Sequence, residues 1–114
     1  MEKKNVIVEK TIRFALLVIE FCELLEREKK FVIARQLLRS GTSIGANIHE
    51  AQNAESKADF IHKVKIAAKE VEESKYWITL CKKSKNYPFN EELEKEIQEV
   101  SLIIYKILSS SKKR

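Results

Sequence analysis

The sequence is poor in the residues that interrupt regular structure, with one proline and two glycines among 114 residues. Glycine and proline normally mark strand ends, turns and loops, so their scarcity argues against a sheet protein and favours long helices. The only cysteines, Cys22 and Cys81, lie far apart in the chain and form no Cys-x-x-Cys motif. This argues against a metal site or a disulfide framework and favours buried free thiols.

Long apolar segments are also lacking. The longest uninterrupted apolar run, 14–19, is too short to cross a bilayer. No apolar run is followed by a small-residue cleavage site of the kind that ends a secretory signal. We therefore expect a cytoplasmic protein with no membrane contact. The charged residues (34%) and hydrophobic residues (44%) are balanced as in soluble amphipathic helices, and the length suits one domain.

Apolar residues recur at intervals of three and four along four stretches of the chain. This spacing predicts helices over about 6–27, 31–53, 56–84 and 90–109, followed by a basic tail at 110–114. Ser56 and Asn90 are predicted to cap the third and fourth helices, and Pro88 prevents the third from continuing. Helices of similar length joined by short turns predict an all-α, antiparallel up-down-up-down four-helix bundle, one domain over 1–114.

Both glycines fall within residues 36–51, where Ser-Gly-Thr-Ser alone would be typical of a loop between two short helices. Apolar positions nevertheless continue through this segment at helical spacing: Ile33, Leu37, Gly41, Ile44, Ile48 and Ala51. Glycine inside a helix costs about 1 kcal/mol relative to alanine. We interpret Gly41 and Gly45 as thinning a continuous helix so that a neighbouring helix can approach closely.

Two helices carry more apolar residues than one small core should need. The first helix is apolar around most of its circumference, and the third has an apolar patch away from its main seam. Such surfaces require a cover, which predicts a homo-oligomer. The predicted interface residues are Phe14, Leu17, Val18, Phe21, Ile66, Trp77 and Leu80.

Four segments together resemble one known family: residues 36–51, residues 56–63 (Ser-Lys-Ala-Asp-Phe-Ile-His-Lys), Lys69-Glu70 and Tyr76-Trp77. The sequence resembles the 23S rRNA intervening sequence proteins, also called the four helix bundle protein family, over most of its length. The resemblance implies a homopentameric ring of four-helix bundles and no established catalytic activity. Some relatives are encoded within insertions of the large-subunit ribosomal RNA gene. A more distant relative, the accessory protein of diversity-generating retroelements, is a basic pentamer that binds nucleic acid and a reverse transcriptase.

The residues offer little for catalysis. Asp59 and His62 have the acidic-x-x-His spacing of di-iron bundles, but such sites also need carboxylates directed into the core. His62 is predicted to point outwards, and the main seams of the other helices show no acidic residue. No phosphate-binding loop is present, because the glycine segment lacks Gly-Lys-Ser/Thr. We therefore predict a non-enzymatic protein without a metal or another cofactor.

The charge distribution favours nucleic acid as a partner. Net charge is +5, and residues 56–85 contain eight lysines against four acidic residues. One face of the third helix is predicted to carry His62, Lys65, Lys69, Tyr76 and Lys83, and Arg35 and Arg39 on the second helix to extend it. Lysines with an interleaved aromatic suit phosphate contact and base stacking, which predicts binding of RNA or single-stranded nucleic acid. Two alternatives remain open: a merely solvated lysine-rich face, and a scaffold or protein-partner-binding module.

Overall fold

The computed structural model describes residues 5–112, which form four helices and no strand. These are α1 (Val6–Arg27), α2 (Phe31–Gln52), α3 (Lys57–Lys83) and α4 (Glu91–Lys112). The predicted all-α class is confirmed. Helix α4 continues to Lys112 and so includes the start of the predicted basic tail at 110. Residues 113–114 of that tail lie outside the described part.

Each helix packs mainly against two neighbours in the cyclic order α1, α2, α3, α4, and within residues 5–112 the backbones of the diagonal pairs do not approach closely. Paired positions run in opposite directions along adjacent helices. Lys82 on α3 contacts Glu94 on α4, for example, whereas the earlier Lys75 contacts the later Ser101. The connections 28–30, 53–56 and 84–90 are short. The bundle is therefore antiparallel with up-down-up-down order.

Polar side chains cap the helix starts as the sequence predicts. The Ser56 hydroxyl accepts a hydrogen bond from the Asp59 amide at 3.0 Å. The side-chain Oδ1 atom of Asn90 accepts a hydrogen bond from the Glu92 amide at 2.8 Å. Both satisfy backbone donors that the first helical turn leaves without partners. In the turn between α1 and α2, Lys29 has a positive φ of 64°, a conformation that more often takes glycine.

The two glycines lie in the middle of a continuous α2, so the loop alternative is wrong and the continuous helix is confirmed. A Cβ atom added to Gly41 would lie 2.8 Å from Cγ2 of Val18 on α1. One added to Gly45 would lie 3.3 Å from Cβ of Thr11. The backbone of α2 therefore approaches α1 more closely at Gly41 than a side chain would permit.

The structure corrects the predicted role of α1. Phe14, Val18 and Phe21 are buried inside the bundle, where no second subunit can reach them. Leu17 is half-buried and packs against the same core. The sequence shows that α1 is apolar around most of its circumference, but only the bundle shows which side of the helix the core uses. Apart from Val6 at its start, the exposed apolar residues of α1 form another row, Ile12, Leu16 and Ile19.

Candidate nucleic-acid interface

One face of α3 gathers the predicted nucleic-acid-binding residues of that helix. His62, Lys65, Lys69, Tyr76 and Lys83 recur at intervals of three, four and seven, and all five are exposed. We call this set the α3 basic face. At about 1.5 Å per residue the face is about 30 Å long. Its one exposed acidic neighbour, Glu72, accepts a hydrogen bond from the Tyr105 hydroxyl of α4 at 2.9 Å.

Three lysines of α3 outside this face have partners on neighbouring helices. Lys63 Nζ lies 2.8 Å from a Glu50 carboxylate oxygen, and Lys82 Nζ lies 3.0 Å from one of Glu94. Lys75 donates a hydrogen bond to the Ser101 hydroxyl at 3.0 Å.

The three lysines of the α3 basic face differ in this respect. Within residues 5–112 no hydrogen bond or ion pair involves Lys65, Lys69 or Lys83. Their charges are therefore neither used in holding the bundle together nor neutralised by it. A row of solvated cations with no intramolecular partner is free to meet the phosphates of a nucleic acid.

The two arginines predicted to extend the face behave differently from each other. Arg39 donates to a Glu73 carboxylate oxygen at 2.6 Å and to Glu70 at 3.3 Å. The hydrogen bonds to Glu73 and Glu70 raise the pKa of Arg39, and the bond to Glu73 has the larger effect. The same bond between Arg39 and Glu73 holds the pKa of Glu73 below its usual range. Arg39 therefore joins α2 to α3 through its ion pairs, while its side chain stays about half exposed, and its place in the interface remains a prediction. Arg35 is exposed, and no ion pair engages it in the described chain.

The aromatic pair at the middle of α3 is divided between surface and interior. The Tyr76 ring is 56% exposed, and its centroid lies 5.1 Å from that of Trp77 in an edge-to-face arrangement. Trp77 is half-buried, and its indole N–H donates to Glu73 at 3.0 Å. Tyr76 is thus the aromatic side chain available for stacking. Of the predicted interface residues on α3, Ile66 is also half-buried, and Leu80 alone is exposed.

An open cavity of about 350 Å³ lies where the α3 basic face ends. Its lining comes from α2, from the last turn of α3 and from the α3–α4 connection: Ile33, Leu80, Lys83, Ser84 and Tyr87. Lys83 therefore belongs both to the basic face and to the cavity. Sequence reasoning missed this site, because Ile33 and Tyr87 come together only through the packing of α2 against the end of α3.

The histidines and cysteines form no reactive arrangement. His62 is exposed, and Nδ1 of His49 lies 3.2 Å from the Gly45 carbonyl oxygen on its own helix. Among residues 5–112 no group of three His, Cys, Asp or Glu side chains is placed to hold a metal ion. Burial raises the pKa of the Cys22 thiol to about 12 and that of Cys81 to about 11, which disfavours the nucleophilic thiolate.

A buried carboxylate escaped the sequence analysis. Glu96 of α4 is only 5% exposed, and its Oε1 atom accepts no hydrogen bond. The nearest cations belong to α1, with Lys10 Nζ at 3.8 Å and Arg13 Nε at 4.0 Å. Glu96 lies beside the main apolar seam of α4, to which the prediction about acidic residues was confined, and its carboxylate faces α1. The helical spacing of Glu92, Glu96 and Glu99 could have indicated an acidic row facing a neighbouring helix.

No helix in the described part of the chain has the length and apolar character needed to span a membrane.

Comparison with known proteins agrees with the fold. The model of the family described as 23S rRNA-intervening sequence protein matches residues 3–106. No curated protein matches the sequence. A crystal structure from Bacteroides thetaiotaomicron, described as a protein with unknown function from the S23 ribosomal protein family, is similar with a TM-score of 0.84. The two sequences are 38% identical, over 90% of this chain and 97% of the other.

Proposed function

The chain belongs to the 23S rRNA-intervening sequence protein family, and we propose that it binds RNA or other single-stranded nucleic acid without catalysing a reaction. One observation carries the proposal. Lys65, Lys69 and Lys83 are exposed on one face of α3 and have no hydrogen-bond or ion-pair partner within residues 5–112. Lys63, Lys75 and Lys82 of the same helix are bound to carboxylates or a hydroxyl, so these three charges are used within the bundle and those of the basic face are not.

The proposed binding is mainly electrostatic. Lysines that neutralise phosphates release condensed counterions, so the affinity falls steeply as salt is added. The exposed ring of Tyr76 adds a stacking surface between Lys69 and Lys83. Phosphate contacts carry little sequence information, so the expected preference is for strandedness or shape.

We further propose that the protein is a homo-oligomer, and the family resemblance suggests a pentamer. The row Ile12, Leu16 and Ile19 on α1 supports this proposal, because its side chains are between 38% and 57% exposed. A contiguous apolar surface of this kind marks an interaction site in soluble proteins. A ring repeats the α3 basic face by symmetry, and multivalency then strengthens contacts that are individually weak.

The decisive experiment is a titration of fluorescently labelled single-stranded RNA at several salt concentrations. The variant Lys65→Glu/Lys69→Glu removes two phosphate contacts. We expect weaker binding and a log-affinity against log-salt slope that is shallower by about 1.4, from about 0.7 per contact. The matched control Lys95→Glu/Lys106→Glu makes the same charge change at exposed positions of α4 and should bind much better than the α3 variant. Circular dichroism and light scattering verify the fold and assembly of both variants.

Two outcomes would count against the proposal. Equal losses in the two double variants would show that net charge matters and the α3 basic face does not. No binding by the parent protein at low salt would favour the alternative function, a scaffold or protein-partner-binding module. The exposed row on α1 is the observation that favours this alternative. An apolar partner interface would persist at high salt, whereas phosphate binding would not.

A further inference from the structure

The cavity at the end of the α3 basic face combines an apolar interior with a cationic rim. Ile33, Leu80 and Tyr87 supply apolar and aromatic walls, and Lys83 and Ser84 supply polar groups. A volume of about 350 Å³ falls within the range of small-molecule sites, about 300–1,000 Å³. The cavity is therefore large enough for a single flat ring system.

A second cation stands beside the aromatic wall. Lys30, in the turn between α1 and α2, places its Nζ 5.0 Å from the centroid of the Tyr87 ring. Lys83, from the last turn of α3, lines the same cavity and has no ion pair within residues 5–112. The site is thus complementary to a flat apolar group that carries a negative charge, and both charge and shape match a nucleotide.

We propose that this cavity holds one unstacked nucleobase of a single strand whose phosphates follow the α3 basic face. This inference rests on the proposed function and adds a base-recognition site to it. Lys83 links the two, because it lines the cavity and also belongs to the basic face. In this arrangement the base enters between Leu80 and Tyr87, and the adjacent phosphate meets Lys83 and Lys30. A base inside a duplex is stacked on both faces and paired along one edge, so the site selects unpaired nucleotides.

The test compares a single-stranded oligouridylate with an abasic strand of the same length and charge. The parent protein should bind the strand with bases about tenfold more tightly, since stacking one base on an aromatic side chain is worth that much. In a Tyr76→Ala background, which lacks the stacking surface of the α3 basic face, the variant Ser84→Trp fills the cavity without changing charge and should remove this difference while leaving abasic binding unchanged. The control Ser109→Trp makes the same change at an exposed position of α4 and should retain the difference.

The outcomes separate this inference from the proposed function. If the parent binds neither strand, the proposed function fails as well. If it binds both equally, phosphate recognition stands and the base site is refuted. If Ser84→Trp weakened the binding of both strands equally, the tryptophan would be blocking the phosphate path, and this result would also refute the base site. Displacement of the strand by phenyl phosphate as readily as by uridine monophosphate would show that the cavity accepts any aromatic anion, against base recognition.

Discussion

Helix α1 contacts its two neighbours by opposite means. Towards α2 it presents Val18 and Thr11 to the bare backbone at Gly41 and Gly45, with no room for a side chain at Gly41. Towards α4 it presents cations to carboxylates. Lys10 is hydrogen-bonded to Glu99 and lies 3.8 Å from Glu96, and Arg13 lies 3.8 Å from Glu92.

The comparison shows where this bundle tolerates change. A close contact between helices depends on the absence of atoms, so almost any added atom disturbs it. The α1–α4 contact depends on long, partly solvated side chains, which can rearrange, and exposed ion pairs contribute little each. We therefore expect substitutions at the glycines to have large effects and most charge substitutions between α1 and α4 to have small ones.

The largest expected effect comes from filling the close contact. Gly41→Leu should lower the free energy of unfolding by more than about 3 kcal/mol, the upper end of usual overpacking costs. The physical reason is that even a Cβ atom would lie 2.8 Å from Val18. Chemical denaturation at fixed protein concentration measures the loss. Ala46→Leu, at an exposed position of the same helix, is the control and should change stability by less than about 0.5 kcal/mol. Parent-like unfolding of Gly41→Leu would mean that no close crossing exists.

Single methyl groups should distinguish the two glycines. Gly41→Ala should destabilise by about 1–3 kcal/mol, because the added Cβ crowds both γ-carbons of Val18. Gly45→Ala should be nearly neutral, since its Cβ would lie at 3.3 Å from Thr11 and alanine gains about 1 kcal/mol in helix propensity. A double-mutant cycle of Gly41→Ala with Val18→Ala should show favourable coupling, because the smaller residue makes space. Additive effects would contradict direct crowding.

On the α1–α4 side, the buried carboxylate is the informative position. Glu96→Met should leave stability unchanged or raise it by about 1 kcal/mol, because the buried Oε1 accepts no hydrogen bond and its ion pair with Lys10, at 3.8 Å, offsets little of the cost of burying the charge. Lys10→Met should be destabilising, since it leaves Glu96 without its nearest charge. Urea denaturation of the two variants and their double variant tests this. A Glu96→Met variant less stable than Lys10→Met would overturn the interpretation.

The smallest expected effect is a pH dependence confined to the charged contact. Hydrogen bonding to Lys10 holds the pKa of Glu99 below its usual range. The unfolded chain, where this pKa is about 4.3, therefore binds more protons, so the stabilisation is complete above that pH and is lost as the pH falls through the lower folded value. We expect the free energy of unfolding, measured by denaturation between about pH 6 and 3, to vary less with pH for Glu99→Gln than for the parent protein. For Gly45→Ala, which removes no titrating group, the free energy of unfolding should vary with pH as much as in the parent protein.

Sequence periodicity predicted most of the fold because each helix has its own apolar repeat, and α3 and α4 also begin at the capping residues that the sequence indicates. The continuous α2 followed from the unbroken spacing of Leu37, Ile44 and Ile48 across the glycines. Periodicity does not determine which side of a helix faces the core when the helix is apolar around most of its circumference. This is why Phe14 and Phe21 were placed at a subunit interface although both are buried in the core.

The candidate site was predictable to the same degree. The shared face of Lys65, Lys69 and Lys83 follows from spacing within one helix. Contacts between helices do not follow from spacing within one helix. The ion pair of Arg39 with Glu73 and the burial of Glu96 therefore became visible only in the three-dimensional structure. The cavity needs Ile33 and Tyr87 to meet across distant segments, which no local pattern encodes.

The cyclic order of the helices also bears on how the chain folds. Three of the four helix contacts join helices that follow each other in sequence through connections of three to seven residues. The α1–α4 contact is the one that joins the first and last helices of the chain, and it therefore has the highest loop-closure cost. We expect the helical hairpins to be structured in the folding transition state and the α1–α4 contact to form late. Stopped-flow measurements should then show that Lys10→Met accelerates unfolding with little change in the folding rate, whereas Gly41→Ala slows folding.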